Sequence, residues 1–430
     1  MILRALASKN YRLFFGGQAV SLIGTWISRV AMAWLVYRMT NSALVLGVVG
    51  FANQIPTFFL VPFTGVLVDR WNRHRMLVIT HSLLMIHAFI LATLALTHTI
   101  QVWHIIVLSV LQGIIHSFEI PARQSFVSEM VEKKEDLANA IALNSSLFNA
   151  TRLIGPAIAG LLIAAIGEGM CFLLDGITYF AVISSLLSMR IAPHEVKNPT
   201  SNVLQGLKEG IDSAFGFAPV RAILLLVALV SLMGISYTVL LPVIARDILH
   251  GDANVLGFLT SSAGLGALMG ALYLASRKSV RGLGKYIAFS SGIAGVGLIF
   301  LAISHTLWLS LAMVLVVSFG IMIQMAASNT VIQTVVDDDK RGRVLSLYIV
   351  ALMGVAPFGN LIAGWLANRI GTANTMIIGG AACIFGALIF ALKLPDFRAK
   401  IRPIYIKKGI IPEVAKGIQE AEKVQELSQD

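Results

Sequence analysis

The stretch GVLVDRWNRHR, Gly65 to Arg75, decides how this chain is read. Its last seven residues hold one acid, Asp69, and three arginines, Arg70, Arg73 and Arg75, with His74 among them. Apolar sequence of membrane-crossing length flanks it on both sides, and a charge cluster in that setting is a loop between transmembrane helices. The rest of the chain agrees. Of 430 residues, 57% are hydrophobic and 13% charged, whereas soluble domains carry roughly 25% charged residues. Mean hydropathy is +0.81, which is polytopic-membrane composition. The net charge of +11 could suggest nucleic acid. In a membrane protein, loop Lys and Arg explain it better, so no nucleic-acid partner is expected.

Working outward at about 20 apolar residues per crossing predicts an all-α membrane protein with twelve transmembrane helices. They cover roughly 12–37, 44–68, 76–97, 102–120, 138–166, 169–191, 220–245, 255–275, 285–303, 307–331, 343–368 and 374–394. The expected units are an N-terminal six-helix bundle (1–191), a cytoplasmic central linker (192–219), a C-terminal six-helix bundle (220–394) and a cytoplasmic tail (395–430). Residues 203–217 have the pattern of a short surface helix. The first span is too long for a signal-peptide core and lacks a small-residue cleavage site, so it is a retained helix. Inner (plasma) membrane is the expected location. Even-numbered loops, the linker and both ends hold 28 of the 33 Lys and Arg, which puts both termini in the cytoplasm. Cys171 and Cys383 lie in apolar segments, which favours neither a disulfide framework nor a zinc site.

The chain also repeats itself. VSLIG (20–24) returns as VSLMG (230–234), and SALVLG (42–47) as DANVLG (252–257). GPAIAGLLIAAIG (155–167) is answered by GNLIAGWLANRIG (359–371). Spans 1–6 and 7–12 are therefore two pseudo-symmetric halves. Transporters built this way hold substrate between the halves near the midplane.

These residues resemble the major facilitator superfamily. GVLVDRWNRHR is similar to its loop 2–3 signature, and residues 10–47, 121–162 and 337–347 resemble the enterobactin-exporter-like and macrolide-efflux-like branch, drug:proton antiporters. The resemblance covers essentially all of 10–394. It implies the major facilitator fold, alternating access and export, with a proton as coupling ion and no cofactor. There are departures: Ser109 stands where many proton-coupled exporters have Arg, Ala159 where the span-5 motif has a second Gly, and the second-half copy of the loop signature (270–285) has no acid.

Candidate site residues follow. Gly65, Asp69, Arg70, Arg73 and Arg75 are the gate candidates, with a solvated loop charge the alternative for Asp69 and helix packing the role of Gly65. Topology explains the arginines but not the acid. An Asp at the end of span 2 can accept from free N–H groups at a neighbouring helix start. In the resembling fold that neighbour is span 11, beginning near Arg343. The charge run Asp337 to Arg343 lies opposite. Charges inside spans face cavities or partners, so Arg29, Arg152, Glu119 and Asp175 are the substrate or coupling candidates. The two arginines suit an anionic group and the acids a proton. Structural ion pairing stays open for Arg29, Arg152 and Glu119, snorkelling also for Arg29, and a place near the outer headgroups for Asp175. Gln18, Asn53, Gln54, Asn144, Asn149, Tyr237, Gln324 and Asn329 are polar candidates to line the cavity or to join helices. Gly155, Pro156 and Gly160 form the span-5 motif. His81, His87 and His116 lack metal-ligand spacing.

The expected function is secondary active export of a small amphiphilic molecule, a siderophore or macrolide-like drug, by a monomer. Lipid or lysophospholipid transport is the alternative within the class, with membrane lipid a partner in either case. A non-transporting scaffold or sensor is the alternative of another class. No P-loop, G-x-S-x-G or H-E-x-x-H motif supports an enzyme.

Overall fold

The computed structural model describes residues 3–189, 211–212, 214–277 and 279–410, and for residues 61, 62, 65, 66, 69, 70, 134 and 339 the backbone alone. Eleven described helices are long and apolar enough to cross a membrane. α1 is Lys9–Thr40, α2 Ala43–Arg70, α3 Arg73–Leu96 and α4 Val102–Met130. Next comes one helical run, Leu137–Leu187, of 51 residues. At 1.5 Å per residue it is more than twice the thickness of a hydrocarbon core. It breaks at Gly167 (φ 77°, ψ 169°) into α5 (137–166) and α6 (168–187). α7 is Ala218–Ile248, α8 Ala253–Ala275, α9 Leu283–Ala302, α10 Leu307–Val335, α11 Lys340–Ile370 and α12 Thr372–Leu392. The break in α5–α6 completes twelve membrane-length segments among the described residues. A further helix, α13 (Leu394–Lys407), follows the last span.

The repeats seen in the sequence set the turns. Ser42 caps α2 by accepting from the Val45 amide at 3.4 Å. Asp252, its counterpart in the second copy, caps α8 by accepting from the Asn254 amide at 3.0 Å. Each satisfies a free N–H at a helix start. The longer repeat ends on Gly167 in one copy and Gly371 in the other, with φ of 77° and 86°. Both turn the chain between consecutive spans in a conformation that a Cβ disfavours.

α1 lies along the α5–α6 pair, α2 on α4, and α3 on α4 and α5–α6. α8, α9, α10 and α12 make the matching contacts in the second half. The halves meet mainly at two crossings, α2 with α11 and α5 with α8, with smaller contacts of α7 on α1 and α2.

Two expectations change. α4 does not stop at Pro121 but runs on to Met130, because its polar end is neutralised: Arg123 pairs with Glu119 and Arg73 with Glu129. The basic start of the tail is helical, with Phe397 and Tyr405 buried against the bundle; burial raises the Tyr405 phenol above its ordinary pKa, so it stays neutral. The linker helix at 203–217 and the tail from 411 lie largely outside the described residues.

Candidate functional site

Arg29 on α1 and Arg152 on α5 lie within electrostatic reach of each other. Arg152 is also within reach of Tyr237 on α7, whose hydroxyl sits 2.7 Å from the Ser318 hydroxyl on α10. The constellation therefore draws on both halves. The Arg29 guanidinium stacks 4.7 Å above the Trp26 ring, a contact worth about 0.5–2 kcal/mol. Gly155 lets Trp26 approach: a Cβ at 155 would come 2.6 Å from the Trp26 Cβ. Neither arginine has an ion-pair partner among the described residues. Arg29 is exposed although protein surrounds it, and Arg152 is half-exposed, as expected of cavity-lining side chains.

The Arg152 face of α5 is unpacked toward the end that carries loop 2–3. Ile141, Ser145 and Phe148 share the Arg152 face of α5 at helical spacing, and all three are exposed, Ile141 by 53% and Phe148 by 41%.

The opposite end is closed. A Cβ at Gly160 would stand 2.7 Å from the Ala253 carbonyl oxygen and 3.2 Å from the Gly257 Cα. One at Gly47 would stand 2.6 Å from the Asn360 carbonyl oxygen and 3.1 Å from the Gly364 Cα. These glycines are the repeat itself: Gly47 and Gly257 end the short copies, and Gly160 and Gly364 hold matching places in the long ones. Backbones can meet this closely only where side chains are absent. Pro156 contributes its carbonyl oxygen, 2.5 Å from where a Gly257 Cβ would lie.

Beside these crossings the Tyr37 hydroxyl donates to the Asp247 carboxylate. Arg246 lies over the Tyr37 ring at 5.9 Å. Tyr37 and Asp247 are 210 residues apart, the offset of the short repeats, so they are counterparts at the ends of α1 and α7. Sequence reasoning missed both residues. The signal that could have found them is that offset, combined with an acid that faces no basic loop.

At the loop 2–3 end, the side chains of Asp69 and Arg70, and the surroundings of Gly65, lie outside the described residues, and so does the expected Asp69 contact with span 11. Arg73 donates to Glu129 on α4 at 2.7 Å, so its pairing partner is within its own half. His74 sits 2.7 Å from the Leu186 carbonyl oxygen. Arg75 is exposed, and its amide completes the cap on Asn72 at 3.0 Å. In the opposing charge run, Arg341 pairs with Asp338 one turn away.

The two acids separate. Glu119 is buried and accepts from Arg123 Nε at 2.6 Å, with His116 at 3.8 Å. Its charge is paired, the structural alternative left open for it. Asp175 is buried between α6 and α1. It is 3% exposed, packed against Gly24 and Ser28 of α1, and one carboxylate oxygen has no hydrogen-bond partner. A buried carboxylate without a cation is costly.

Several polar candidates are buried or hydrogen-bonded to their neighbours. Gln18, Tyr237 and Gln324 are buried at 4%, 4% and 0% exposure, because each faces neighbouring helices. Asn53 donates to Gln112 at 2.8 Å, joining α2 to α4. Asn149 donates to the Ser145 carbonyl oxygen at 2.9 Å, and Asn329 accepts from Gln333 at 2.9 Å, each within its own helix. Gln54 and Asn144 are half-buried. His81 and His87 sit 2.9 and 3.1 Å from the Leu77 and Leu108 carbonyl oxygens, as packing residues do.

Comparison with known proteins adds the family. The chain is 27% identical over 382 residues to the staphyloferrin A transporter of Staphylococcus aureus, covering 88% of this chain and 95% of that protein. It is 24% identical over 391 residues to macrolide efflux protein A of Streptococcus pyogenes, covering 88% and 96%. Among solved structures, the nucleoside transporter NupG superposes with a TM-score of 0.69 at 12% identity, covering 91% of this chain and 99% of that one. A bacterial homologue of the human lysosomal transporter Spinster gives 0.68 at 14% identity, covering 90% and 96%. The family model for transmembrane secretion effectors matches residues 3–414. The chain with these twinned glycine crossings thus belongs to the transmembrane secretion effectors of the major facilitator superfamily, and is a transporter and not an enzyme.

Proposed function

We propose that this protein is a secondary active exporter of an amphiphilic organic molecule bearing an anionic group, working by alternating access and driven by proton entry. One observation carries the reading: Arg29 and Arg152, charges within two spans, lie within electrostatic reach of each other, with no acid paired to either among the described residues. Two cations within mutual reach repel, and a bound anion relieves that repulsion. Trp26 and the apolar cavity wall suit the rest of an amphiphile. Names of relatives that handle staphyloferrin A and macrolides support an organic substrate.

The distribution of Lys and Arg turns the closed end outward and the open end to the cytoplasm, so the cavity stands ready to load substrate from inside. Asp175 is the acid we assign to the proton, because its charge is buried without a cation. Binding the proton removes that cost and loosens α6 from α1.

The test uses everted vesicles with an imposed proton gradient and two substrates, a carboxylate siderophore and a macrolide. Arg152→Gln is expected to lower siderophore uptake at least tenfold, since a charged hydrogen bond is worth about 1.5–3 kcal/mol. Asp175→Asn is expected to leave binding intact and abolish substrate-linked proton flux. Siderophore uptake that survives Arg152→Gln unchanged would sink the anion site. Proton flux that survives Asp175→Asn would sink the coupling assignment alone.

A further inference from the structure

Outside the central cavity, α13 roofs a second cavity of about 440 Å³ at the loop 8–9 end of the C-terminal half. Ligand pockets of about 300–1,000 Å³ are typical. Its walls are apolar: Ile223 from α7, Ile287 from α9, Phe390 from α12 and Phe397 from α13. Its rim is basic. Lys285 stands at the start of α9, and Arg398 and Arg402 stand one turn apart on α13. All three are exposed, and none has an ion pair among the described residues. A fourth cation, Arg281, is already engaged: its guanidinium donates twice to the Ile410 carbonyl oxygen, at 3.1 and 2.6 Å.

Placement narrows the occupant. The cavity lies where α7 and α9 begin and where α10 and α12 end, the level of lipid headgroups. α13 is amphipathic, with Phe397 and Tyr405 inward and Arg398, Lys400, Arg402 and Lys407 outward, the build of a helix lying in the interface. Basic pockets between spans at this depth hold anionic headgroups. A small anion would satisfy the rim but leave the apolar walls unfilled, and a neutral amphiphile would do the reverse.

We infer that this cavity binds one anionic phospholipid, its phosphate held by Lys285, Arg398 and Arg402 and an acyl chain against Ile223, Ile287 and Phe390. The lipid ties α13 to α9 and so fixes the tail helix on the C-terminal bundle. This inference does not depend on the export reading, since no residue is shared with the central cavity.

Native mass spectrometry of the full-length protein in mild detergent tests it, with phosphatidylglycerol and phosphatidylcholine of equal chain length. The wild type is expected to retain one phosphatidylglycerol under activation that strips phosphatidylcholine. Lys285→Gln/Arg398→Gln/Arg402→Gln is expected to lower that retention about tenfold, while Arg398→Lys/Arg402→Lys keeps it. Ile223→Trp, which fills the cavity and leaves the rim intact, is expected to lose the lipid too. Equal retention of the two lipids by the wild type overturns the proposal even if the triple variant does not fold. Displacement of the lipid by millimolar inorganic phosphate, together with full retention in Ile223→Trp, makes this a small-anion site and equally overturns it.

Discussion

The two ends of the molecule hold together by different means. At the end with loops 1–2 and 7–8, one ion pair, Arg38 with Glu168, lies within a half, but the closing contacts run between the halves. Gly47 meets Gly364, Gly160 meets Gly257, and Tyr37 reaches Asp247. At the end with loop 2–3, the described ion pairs run within one half: Arg73 with Glu129, Arg123 with Glu119, Arg341 with Asp338. The first kind of contact closes a path between halves, and the second stiffens a bundle. Charge density in the sequence marks the second end, and closure in this structure lies at the first. A basic loop reports which way a transporter faces the membrane. Its gates depend on which residues meet across the pseudo-twofold axis.

Breaking the glycine crossings tests this contrast most severely. Gly257→Val would drive a side chain against the Pro156 carbonyl oxygen and the Gly160 Cα, 2.5 and 3.0 Å from the first added carbon. Backbone cannot swing aside as a flexible side chain can, so overpacking of about 1–3 kcal/mol or more is expected. Spin labels at Thr40 and His250, on opposite halves at this end, should separate, and transport should be lost. Gly364→Val should do the same at the α2–α11 crossing. Unchanged label distances in both variants would mean that the crossings do not hold the end shut.

Asp247→Asn and Tyr37→Phe come next. Each removes a charge-assisted hydrogen bond across the halves, worth roughly 1.5–3 kcal/mol. The expected result is a shift of about tenfold or more in the population of molecules open at this end, without loss of folding. The double variant should shift no further than either single one, because both delete the same contact. Additive shifts would show that each residue acts through a different partner.

These residues also show how far the sequence could be read. The fold was legible because apolar run length, loop charge and the repeats all constrain the same twelve segments. The repeats carried more than topology: their first residues cap α2 and α8, their last glycines turn α5 into α6 and α11 into α12, and their inner glycines join the halves. The site was legible in part. Arg29 and Arg152 stand out in any sequence scan because charge is rare in a span, and the fold brings them within electrostatic reach of each other. Polar amides were ambiguous for a physical reason. A cavity wall and a helix contact select the same residue types, and only packing tells Gln324, fully buried, from Gln54, half-buried. Tyr37 and Asp247 were hidden because neither forms a motif within its own span. Their meaning arises only when span 1 is laid on span 7.

The smallest expected effect lies at the loop 2–3 end and sharpens the contrast from that side. The Arg73–Glu129 pair is mostly buried, with side chains 14% and 15% exposed at 2.7 Å separation. It ties α3 to α4 within one half. Its coupling energy in a double-mutant cycle of Arg73→Gln and Glu129→Gln is expected to be about 1 kcal/mol, above an exposed pair but offset by the cost of desolvating both charges. Thermal unfolding should register that loss as a drop of a few degrees for a chain of this size. The Thr40–His250 label distance should not change, because the Arg73–Glu129 bond itself lies within one half. If the distance shifts with the stability, loop 2–3 governs closure at the far end as well, and the division of labour between the two ends fails.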